Sequence, residues 1–504
     1  MTHFEYKELP PAGQTGSFWS KLPATMGVSL IEQNKTDGRL AVQSYRPIDF
    51  SPINGLWIPC AASVSPWNTH LGSEEYEPDA KVRGGGVKDS DSDDATDIAS
   101  FSNYYFGDPD QANPYHYGLV PEVRVKANGS TDLTVHYALG RIARELAEVM
   151  PDQKTVYMGD DGKATGLFMF IADKPGDLSS GSLYAAKWKQ TGTADGGQAK
   201  LDWIKLGSAS DASIRALVEG GIKFADIFDA KNDDPADPAY RPVYTYTGTE
   251  WLKLKPGMAK AAAFLETRRY AAYLGATTEF NKMEGVTHDP IPGEGYKARA
   301  YIMISRVEKL MTDTAGDIQL TENQGGAVYE LDLRGQRKDM AGRPIPSQYV
   351  AGAVRSVPEL LGGWLGRDAV GSEIKDSEGN RCLQEKVCGG DNLKLSPSIR
   401  TLFIGEDTAR RNNNYVWAFN LETRRLSRIL SVPRAAEATG LQVVENLNGH
   451  AYIMSNFQHP GEADQMVNPG DEDLLPLLKS KWDNLQRAAI GYIGTIEGAL
   501  PALK

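Results

Sequence analysis

The chain has 504 residues, of which 41% are hydrophobic, and it carries a net charge of −12. The acidic excess argues against a nucleic-acid or anionic-membrane partner, because such binding depends on Lys and Arg displacing counterions. The sequence contains no apolar run near the roughly twenty residues that cross a bilayer, so a soluble protein is expected. The 51 Gly, 28 Pro, 22 Tyr and 9 Trp favour many short strands joined by turns, which predicts an all-β fold.

The first 112 residues contain an early strand, one unusual loop and an acidic excursion. Alternation after Arg39 predicts the strand. Residues 57–75 then combine Cys60, a Pro-Trp corner and the pair Glu74-Glu75. Soft and hard donors side by side predict metal ligands, since unpaired carboxylates are costly to bury. A buried apolar cysteine and a solvated Glu pair are the alternative. Residues 76–112 are acidic and Gly-rich, and are predicted to form a surface loop.

From residue 117 onwards, short apolar segments alternate with turns. The pattern occupies residues 139–148, 154–161, 166–172 and 181–188, recurs at 394–407 and 414–430, and begins again at 451. Strand, turn and strand in this order are typical of a β-propeller blade. Blades need about 40 to 45 residues each, so a six-bladed propeller leaves around half of the chain for insertions. The rival architecture is a two-domain α+β chain.

Two further segments are predicted to be insertions with helices. Residues 208–275 contain a predicted helix that opens with Asp211 as its N-cap candidate, and an apolar stripe from Lys260 to Leu274. Residues 470–504 include an amphipathic stretch from Leu474 to Ile493, which predicts a C-terminal helix. The expected organisation is therefore one β-propeller domain, residues 1–504, that carries these two segments and the acidic loop at 76–112.

Several acidic residues stand beside short apolar strands and outside the charge runs. In a propeller the strand ends around the central channel come from different blades, so carboxylates remote in sequence can converge on one ion cluster. Taken singly, each of them suits an ordinary turn, cap or surface position. The seven histidines lack metal-ligand spacing, so a zinc enzyme is not expected.

Short motifs also follow one another in a fixed order between residues 50 and 465. They are Cys60-Ala-Ala, Pro66-Trp-Asn-Thr-His-Leu, Glu74-Glu75, and residues 140–145, 156–161, 283–285, 391–393, 405–407, 414–417, 437–440 and 456–462. Their content and order resemble the PhoX family of bacterial alkaline phosphatases. The resemblance implies an iron- and calcium-dependent β-propeller phosphatase.

The resemblance also implies a set of site residues. The implied metal ligands are Cys60, Glu74, Glu75, Glu145, Asp161, Glu284, Asp391, Glu406 and Glu437. They would hold two Fe³⁺ and several Ca²⁺ ions, with the thiolate on iron and the hard oxygens on calcium. His459 also matches a family segment, but a hydrogen-bonded role is expected for it.

Lys282 stands where the family places an arginine for the substrate phosphate, and it offers a point charge instead of a bidentate fork. Arg434 is expected to complete this catalytic clamp, and Arg410 and Arg411 are further candidates. The alternative for these arginines is a role as rim charges only. His70, Ser73 and Arg144 replace family residues beside the proposed ligands. Those changes could move the preference from phosphomonoesters to diesters or another phosphorus ester.

The expected function is hydrolysis of small-molecule phosphate esters by a monomer. A calcium-binding propeller without phosphatase activity, or a lactonase-like propeller hydrolase, is the alternative. Residues 2–7 have neither a basic nor an apolar leader region, so the protein is either cytosolic or numbered from a processed end. Because related phosphatases are exported, a periplasmic or secreted protein is expected. Cys382 and Cys388 could close a disulfide and leave Cys60 as the odd thiol.

Overall fold

The structure is a computed structural model that describes residues 1–5, 24–83, 92–245, 248–292, 295–462, 465–466, 468, 470–485 and 487–494. These residues form 28 β-strands and six α-helices, which confirms the predicted all-β class. In the same ranges, no helix combines the length and the apolar character that crossing a membrane would require.

The strands are distributed along the whole described chain and are numbered in sequence order. The first thirteen are β1 (Thr2–Phe4), β2 (Thr25–Gln33), β3 (Leu40–Pro47), β4 (Ser63–Val64), β5 (His70–Leu71), β6 (Val120–Val125), β7 (Thr131–His136), β8 (Arg144–Val149), β9 (Thr155–Asp160), β10 (Lys163–Thr165), β11 (Phe168–Lys174), β12 (Asp177–Gly192) and β13 (Gln198–Ser210). The next nine are β14 (Phe228–Lys231), β15 (Arg241–Thr245), β16 (Gly248–Leu254), β17 (Phe280–Asn281), β18 (Met283–Asp289), β19 (Ala298–Ile304), β20 (Ala327–Arg334), β21 (Val350–Leu361) and β22 (Gly390–Ser396). The last six are β23 (Thr401–Glu406), β24 (Asn413–Asn420), β25 (Leu426–Arg434), β26 (Glu437–Leu447), β27 (His450–Gln458) and β28 (Ala489–Gly494). The helices are α1 (Ser92–Phe106), α2 (Asp211–Glu219), α3 (Phe224–Ile227), α4 (Ala259–Leu265), α5 (Thr267–Tyr273) and α6 (Asp471–Lys481).

Within the described residues, six antiparallel meanders follow one another along the chain. They are β1–β3, β4–β7, β8-β9-β11-β12, β18–β21, β22–β25 and β26–β28. Strand β13 pairs with both β12 and β21, and thereby joins two neighbouring meanders into one nine-stranded sheet. The sixth meander meets the first, because Gln33 donates to the Leu447 carbonyl (2.7 Å) and the Leu40 N–H donates to the Tyr492 hydroxyl (2.9 Å). This cyclic order is that of the predicted six-bladed propeller.

Neighbouring meanders approach each other closely at glycines of the acidic motifs. A Cβ on Gly285 would lie 2.5 Å from the Asp391 carbonyl oxygen, and one on Gly405 would lie 2.1 Å from the Ala438 carbonyl oxygen. Any larger residue would force the strands apart. Glycine at these positions therefore lets the acidic ends of successive meanders converge.

The apolar core lies between adjacent sheets and under the inserted helices. Tyr301 and Val328 of the nine-stranded sheet pack in one cluster with Leu402 and Trp417 of the following meander. Phe264, on helix α4, belongs to a second cluster that it forms with residues of β11 and β12. Burial of each such side chain contributes about 1.5 to 3 kcal/mol, so the inserted helices are held by the sheets that they cover.

The segment 208–275 contains helices α2 to α5 and the sheet β14-β16-β15. Helix α2 starts one residue earlier than predicted, since the Ser210 hydroxyl caps it by accepting from the Ser213 N–H (3.3 Å). The apolar stripe predicted from Lys260 to Leu274 is divided into α4 and α5 at Glu266, whose backbone leaves the helical conformation.

Two predicted elements differ from the structure. The acidic loop at 76–112 contains helix α1, because Ile98 and Phe101 pack against Trp57 and Tyr117. The helix predicted from Leu474 to Ile493 was wrong beyond Lys481. There Asp483 and Asn484 take positive φ angles of 52° and 56°, and the chain turns back so that β28 pairs with β27.

Candidate metal centre

Side chains from all six meanders converge, each from a position in or near the end of a strand. The converging residues are Glu5, Cys60, Glu75, Glu145, Asp161, Glu284, Asp391, Glu437 and His459. Their ligand atoms form four groups, each lying within 4.8 Å: Glu5, Glu437 and His459; Glu5, Cys60 and Glu75; Glu75, Asp161 and Glu284; and Glu145, Glu284 and Asp391. Because the groups share members, they form one connected set, which we call the metal centre.

Cys60 lies directly against a carboxylate that is 85 residues away in sequence. Its Sγ atom is 3.2 and 3.3 Å from the two carboxylate oxygens of Glu145, and 3.9 Å from Glu5 Oε2. Burial, and then the neighbouring Glu145 and Glu75, raise the pKa of the Cys60 thiol well above its usual value. The thiol therefore stays protonated unless a cation is close to it.

The carboxylates of the centre also resist ionisation. Burial, followed by the charges of nearby acidic groups, raises the pKa of Glu75, Glu145 and Asp391 well above the usual range. The pKa of Glu284 is raised to about 7, by burial and then by Asp161. Several acids share one desolvated space, so full ionisation requires cations that match their charge.

The ammonium group of Lys282 contacts two carboxylates of the metal centre. Its Nζ atom is 2.7 Å from Glu284 Oε1 and 3.3 Å from both carboxylate oxygens of Asp161. Burial opposes its charge, but Asp161 and Glu284 outweigh burial and raise the pKa of Lys282. Burial likewise opposes ionisation of Asp161, yet Lys282 and the Tyr76 hydroxyl, which donates at 2.5 Å, lower the pKa of Asp161. Because the Lys282 side chain is 21% exposed, it marks the edge of the centre that faces solvent.

Two side-chain amides connect carboxylates of different meanders. The Asn392 amide donates to Asp391 Oδ1 (2.8 Å) and Glu145 Oε1 (3.3 Å). The Gln458 amide donates to Glu5 Oε2 (2.8 Å) and Glu437 Oε2 (2.7 Å). Such second-layer hydrogen bonds fix the orientation of the carboxylates that would hold a metal ion.

Glu74 and Glu406, also predicted as ligands, lie outside the four groups of described residues. Glu74 accepts from the N–H groups of Trp57 (2.8 Å) and Leu119 (3.0 Å). Glu406 accepts from the Cys388 N–H and the Trp417 indole, both at 2.8 Å. Burial raises the pKa of both carboxyls to about 7. Their ligand role stays a prediction. In the structure, both carboxylates accept hydrogen bonds from N–H groups of neighbouring segments.

The predicted arginine clamp is engaged elsewhere. Arg434 donates to the two Asp471 carboxylate oxygens at 2.7 and 2.5 Å. Arg410 donates to Glu373 (2.9 Å) and Gln324 (2.7 Å), while Arg411 lies 3.5 Å from Glu406. Among the four cations predicted for substrate phosphate, only Lys282 is seen in contact with the metal centre over the described ranges. The catalytic role of Arg434 stays a prediction.

Two members of the centre were not predicted from the sequence as ligands. Glu5 follows a three-residue strand and stands in no motif, so no local signal marks it. His459 lies in the Gln-His-Pro-Gly segment that carries the family resemblance, and that segment was the signal available for it. The structure also pairs Cys382 with Cys388 as a disulfide, with their Cα atoms 6.2 Å apart, which leaves Cys60 as the odd thiol of three.

The six meanders and the buried acidic centre define a propeller-like protein with the donor set of a site for several metal ions. The sequence model of the family described as alkaline phosphatase PhoX matches residues 36–461, and the chain belongs to that family. It is a phosphoric ester hydrolase of a metal-dependent phosphatase family.

Comparison with curated proteins gave no match. Among solved structures, the chain is similar to a candidate 6-phosphogluconolactonase from Bacteroides fragilis, with 10% identity, 85% of each chain covered and a TM-score of 0.29. One from Bacteroides uniformis shows 10% identity, covers 92% of this chain and 94% of its own, and has a TM-score of 0.32. A protein from Lactobacillus plantarum shows 10% identity, coverages of 85% and 86%, and a TM-score of 0.29. Likenesses at these TM-scores carry no argument about function.

Proposed function

We propose that the chain hydrolyses small-molecule phosphate esters, with phosphomonoesters as the main class and diesters as the second, at a centre that holds iron and calcium. One observation carries this proposal. Seven carboxylates and one thiol from six meanders converge, and among the described residues Lys282 is the cation found with them. Such a set favours bound metal cations, because buried carboxylates that share one desolvated space ionise together only when cations offset their charge.

The donor chemistry fits the ions that the family resemblance implies. The thiol of Cys60 beside Glu145 suits a ferric ion, because sulfur ligands favour transition metals. The groups made mainly of carboxylate oxygens, such as Glu75, Asp161 and Glu284, suit calcium, which prefers hard oxygen ligands. Burial and neighbouring acidic groups raise the pKa of Cys60 and Glu145, and a bound cation would favour the ionised forms that act as ligands.

The chain contributes positioning and charge to the reaction. Bound metal ions would supply Lewis acidity and neutralise the phosphoryl group. Lys282, held by Asp161 and Glu284 at the solvent edge, would bind a non-bridging phosphoryl oxygen. Arg434 donates to the Arg411 and Asn412 carbonyls (3.3 and 3.0 Å), and would support catalysis by holding the segment that follows Glu406.

The organisation of the protein completes the proposal. Residues 1–504 would form one propeller domain that acts as a monomer, with the segments 76–112, 208–275 and 470–504 as insertions. The pairing of Cys382 with Cys388 supports a periplasmic or secreted location, since disulfides persist in oxidising compartments.

The variant Cys60→Ser tests the iron ligand. A ferric thiolate gives a visible charge-transfer colour, and serine remains protonated near neutral pH. The variant is expected to lose that colour, most of its iron by elemental analysis, and hydrolysis of a chromogenic phosphate ester, while calcium and the circular dichroism spectrum persist. Asp132→Asn, an exposed carboxylate of β7, serves as the control.

Calcium chelation tests the function itself, because it should abolish hydrolysis by the wild-type protein. If the wild type is colourless and the Cys60→Ser variant keeps its full metal content and activity, Cys60 is not a metal ligand. Metal-replete protein without activity on mono-, di- and triesters would instead favour a calcium-binding propeller.

A further inference from the structure

Basic side chains flank Lys282 on the backbone segments next to it. The Lys282 N–H donates to the Gly162 carbonyl (2.8 Å), and Lys163 follows that glycine directly. The Ser305 N–H donates to the Lys282 carbonyl (2.9 Å), and Arg306 follows that serine. Two cations thus stand one residue beyond the backbone partners of the proposed phosphate-binding lysine.

A third and a fourth cation join this cluster. The Lys309 ammonium lies beside that of Lys163 and close to Arg306. Burial and then contact with Lys163 lower the pKa of Lys309. Arg410 is also close to Arg306, and burial and then Arg306 lower the pKa of Arg410. Like charges at short range repel, so the folded protein holds these groups together at a cost in free energy.

The nearby acidic groups do not balance the cluster. Glu308 lies 3.8 Å from Lys309 and accepts from the amides of Asn281 (3.2 Å) and Gln324 (2.9 Å). Glu373 accepts from Arg410 at 2.9 Å. Within the described ranges, Lys163 and Arg306 have no carboxylate within 4.0 Å.

The cluster is accessible to a ligand. Lys163 and Lys309 are exposed, while Arg306 and Arg410 are half-buried. Asn281 pairs with Lys163 across strands β10 and β17, and Lys282, the residue directly after Asn281, also reaches solvent. An anion that neutralised Lys163, Arg306 and Lys309 would relieve their repulsion and gain charge-assisted hydrogen bonds.

We propose that Lys163, Arg306 and Lys309 form a subsite for a second phosphate group on the substrate. This inference rests on the proposed function: the reacting phosphoryl group would bind at Lys282 and the metal centre, and the second phosphate would bind at the three basic side chains. The favoured substrates would then be small bisphosphates, in preference to monophosphates with neutral remainders.

The test compares butane-1,4-diol bisphosphate with butyl phosphate at 150 mM salt, which limits long-range steering by charge. The variant Lys163→Gln/Lys309→Gln removes two exposed cations and keeps the length of both side chains close to the original. Its kcat/KM for the bisphosphate is expected to fall by about tenfold or more, since hydrogen bonds between charged groups contribute strongly to binding. Its kcat/KM for butyl phosphate should stay within about twofold, because Lys282 and the metal centre are unchanged.

The variant Arg124→Gln/Lys126→Gln removes the same charge from the β6–β7 hairpin. It should leave kcat/KM unchanged for both substrates. A wild type without preference for the bisphosphate, or a lysine variant that loses activity on both esters equally, would overturn the subsite. If the wild type hydrolyses neither ester, the proposed function fails, and calorimetric binding of the two esters then decides the subsite alone. Tighter bisphosphate binding that is lost in Lys163→Gln/Lys309→Gln would support it, and equal binding would overturn it.

Discussion

The protein buries two sets of carboxylates and neutralises them in different ways. Around Arg269, guanidinium nitrogens lie 2.6 Å from Asp79, 2.7 Å from Glu250 and 2.9 Å from Glu266, and Lys81 also bonds Glu250. In the metal centre, seven carboxylates converge and Lys282 is the cation seen with them among the described residues. The first set has two of the protein's own cations for three carboxylates, whereas among the described residues Lys282 contacts two of the seven carboxylates of the second, Asp161 and Glu284.

The pKa directions show the consequence of this difference. Burial alone would raise the pKa of Asp79 and Glu250, but Arg269 outweighs it and lowers both, whereas the pKa of Glu266 is raised because burial outweighs the effect of Arg269 there. The equally buried Glu145 and Asp391 have strongly raised pKa values, since burial is followed by further negative charges. The supply of cations, and not the depth of burial, therefore distinguishes a structural charge network from a site that requires ions.

The largest effect is expected at Arg269. Arg269→Met removes a guanidinium group shared by three buried carboxylates, of which Glu250 still bonds Lys81, and should lower the free energy of unfolding by about 3 to 5 kcal/mol. Urea denaturation measures the loss, and added calcium should not reverse it. Arg124→Met, at an exposed position of β6, is the control. A loss below about 1 kcal/mol would contradict the view that this network is complete without metal.

His136 offers an intermediate case, an internal cation that depends on pH. Its two ring nitrogens lie 2.8 Å from Glu122 and from Asp211. Burial opposes its charge, but these partners raise the pKa of His136 to about 9, whereas the pKa of Glu122 is lowered to about 2. The stabilisation should be complete below about pH 6.5 and disappear as the pH rises through 9. It should also weaken below about pH 4.5, as Glu122 becomes protonated in the unfolded chain.

The variant His136→Gln should therefore lose about 2 kcal/mol near pH 5.5 and much less near pH 9.5. Urea unfolding of wild type and variant across this range measures the difference. A difference that is independent of pH would show that packing, and not charge, explains the role of His136.

The variant Asp391→Asn should change the stability of the protein in opposite directions with and without bound metal. In chelator-treated protein at pH 8, Asp391→Asn should raise the free energy of unfolding by about 1 kcal/mol, because a carboxyl with a raised pKa destabilises the fold once it must ionise. In protein loaded with calcium and iron the same variant should be less stable than wild type, since a ligand is lost. Thermal melts in both states measure the change. An effect of the same sign in both states would argue that Asp391 holds no metal.

The smallest effect is expected at an exposed ion pair. Lys126 lies 2.6 Å from Asp132, and their side chains are 48% and 56% exposed. Lys126→Gln should change the free energy of unfolding by less than about 1 kcal/mol, and salt should reduce even that. A larger loss of unfolding free energy, measured by urea denaturation, would show that exposed ion pairs in this protein also contribute strongly to stability. The large effect expected at Arg269 would then not be specific to buried networks.

Local signals predicted much of the fold and part of the centre. The alternation that predicted the strands is a property of adjacent residues, and the Glu-Gly and Gly-Glu motifs marked Glu284 and Gly405, where successive meanders approach. Glu5 could not be predicted, because its position depends on the first meander meeting the last. The strand β28 was missed for a related reason. Its partner β27 lies on the other side of helix α6 in the sequence, and the amphipathic pattern before β28 also suits a helix.

The first and last meanders enclose a seam where the ring closes on itself. Gln458 already bridges Glu5 and Glu437 across this seam, and His459 lies in the same group of ligand atoms. Bringing together two ends that are more than four hundred residues apart costs conformational entropy, which grows only with the logarithm of that length. An ion held by Glu5, Glu437 and His459 would link the first meander to the last. Release of that ion would weaken this one contact between meanders and leave the five contacts between the other neighbouring meanders unchanged.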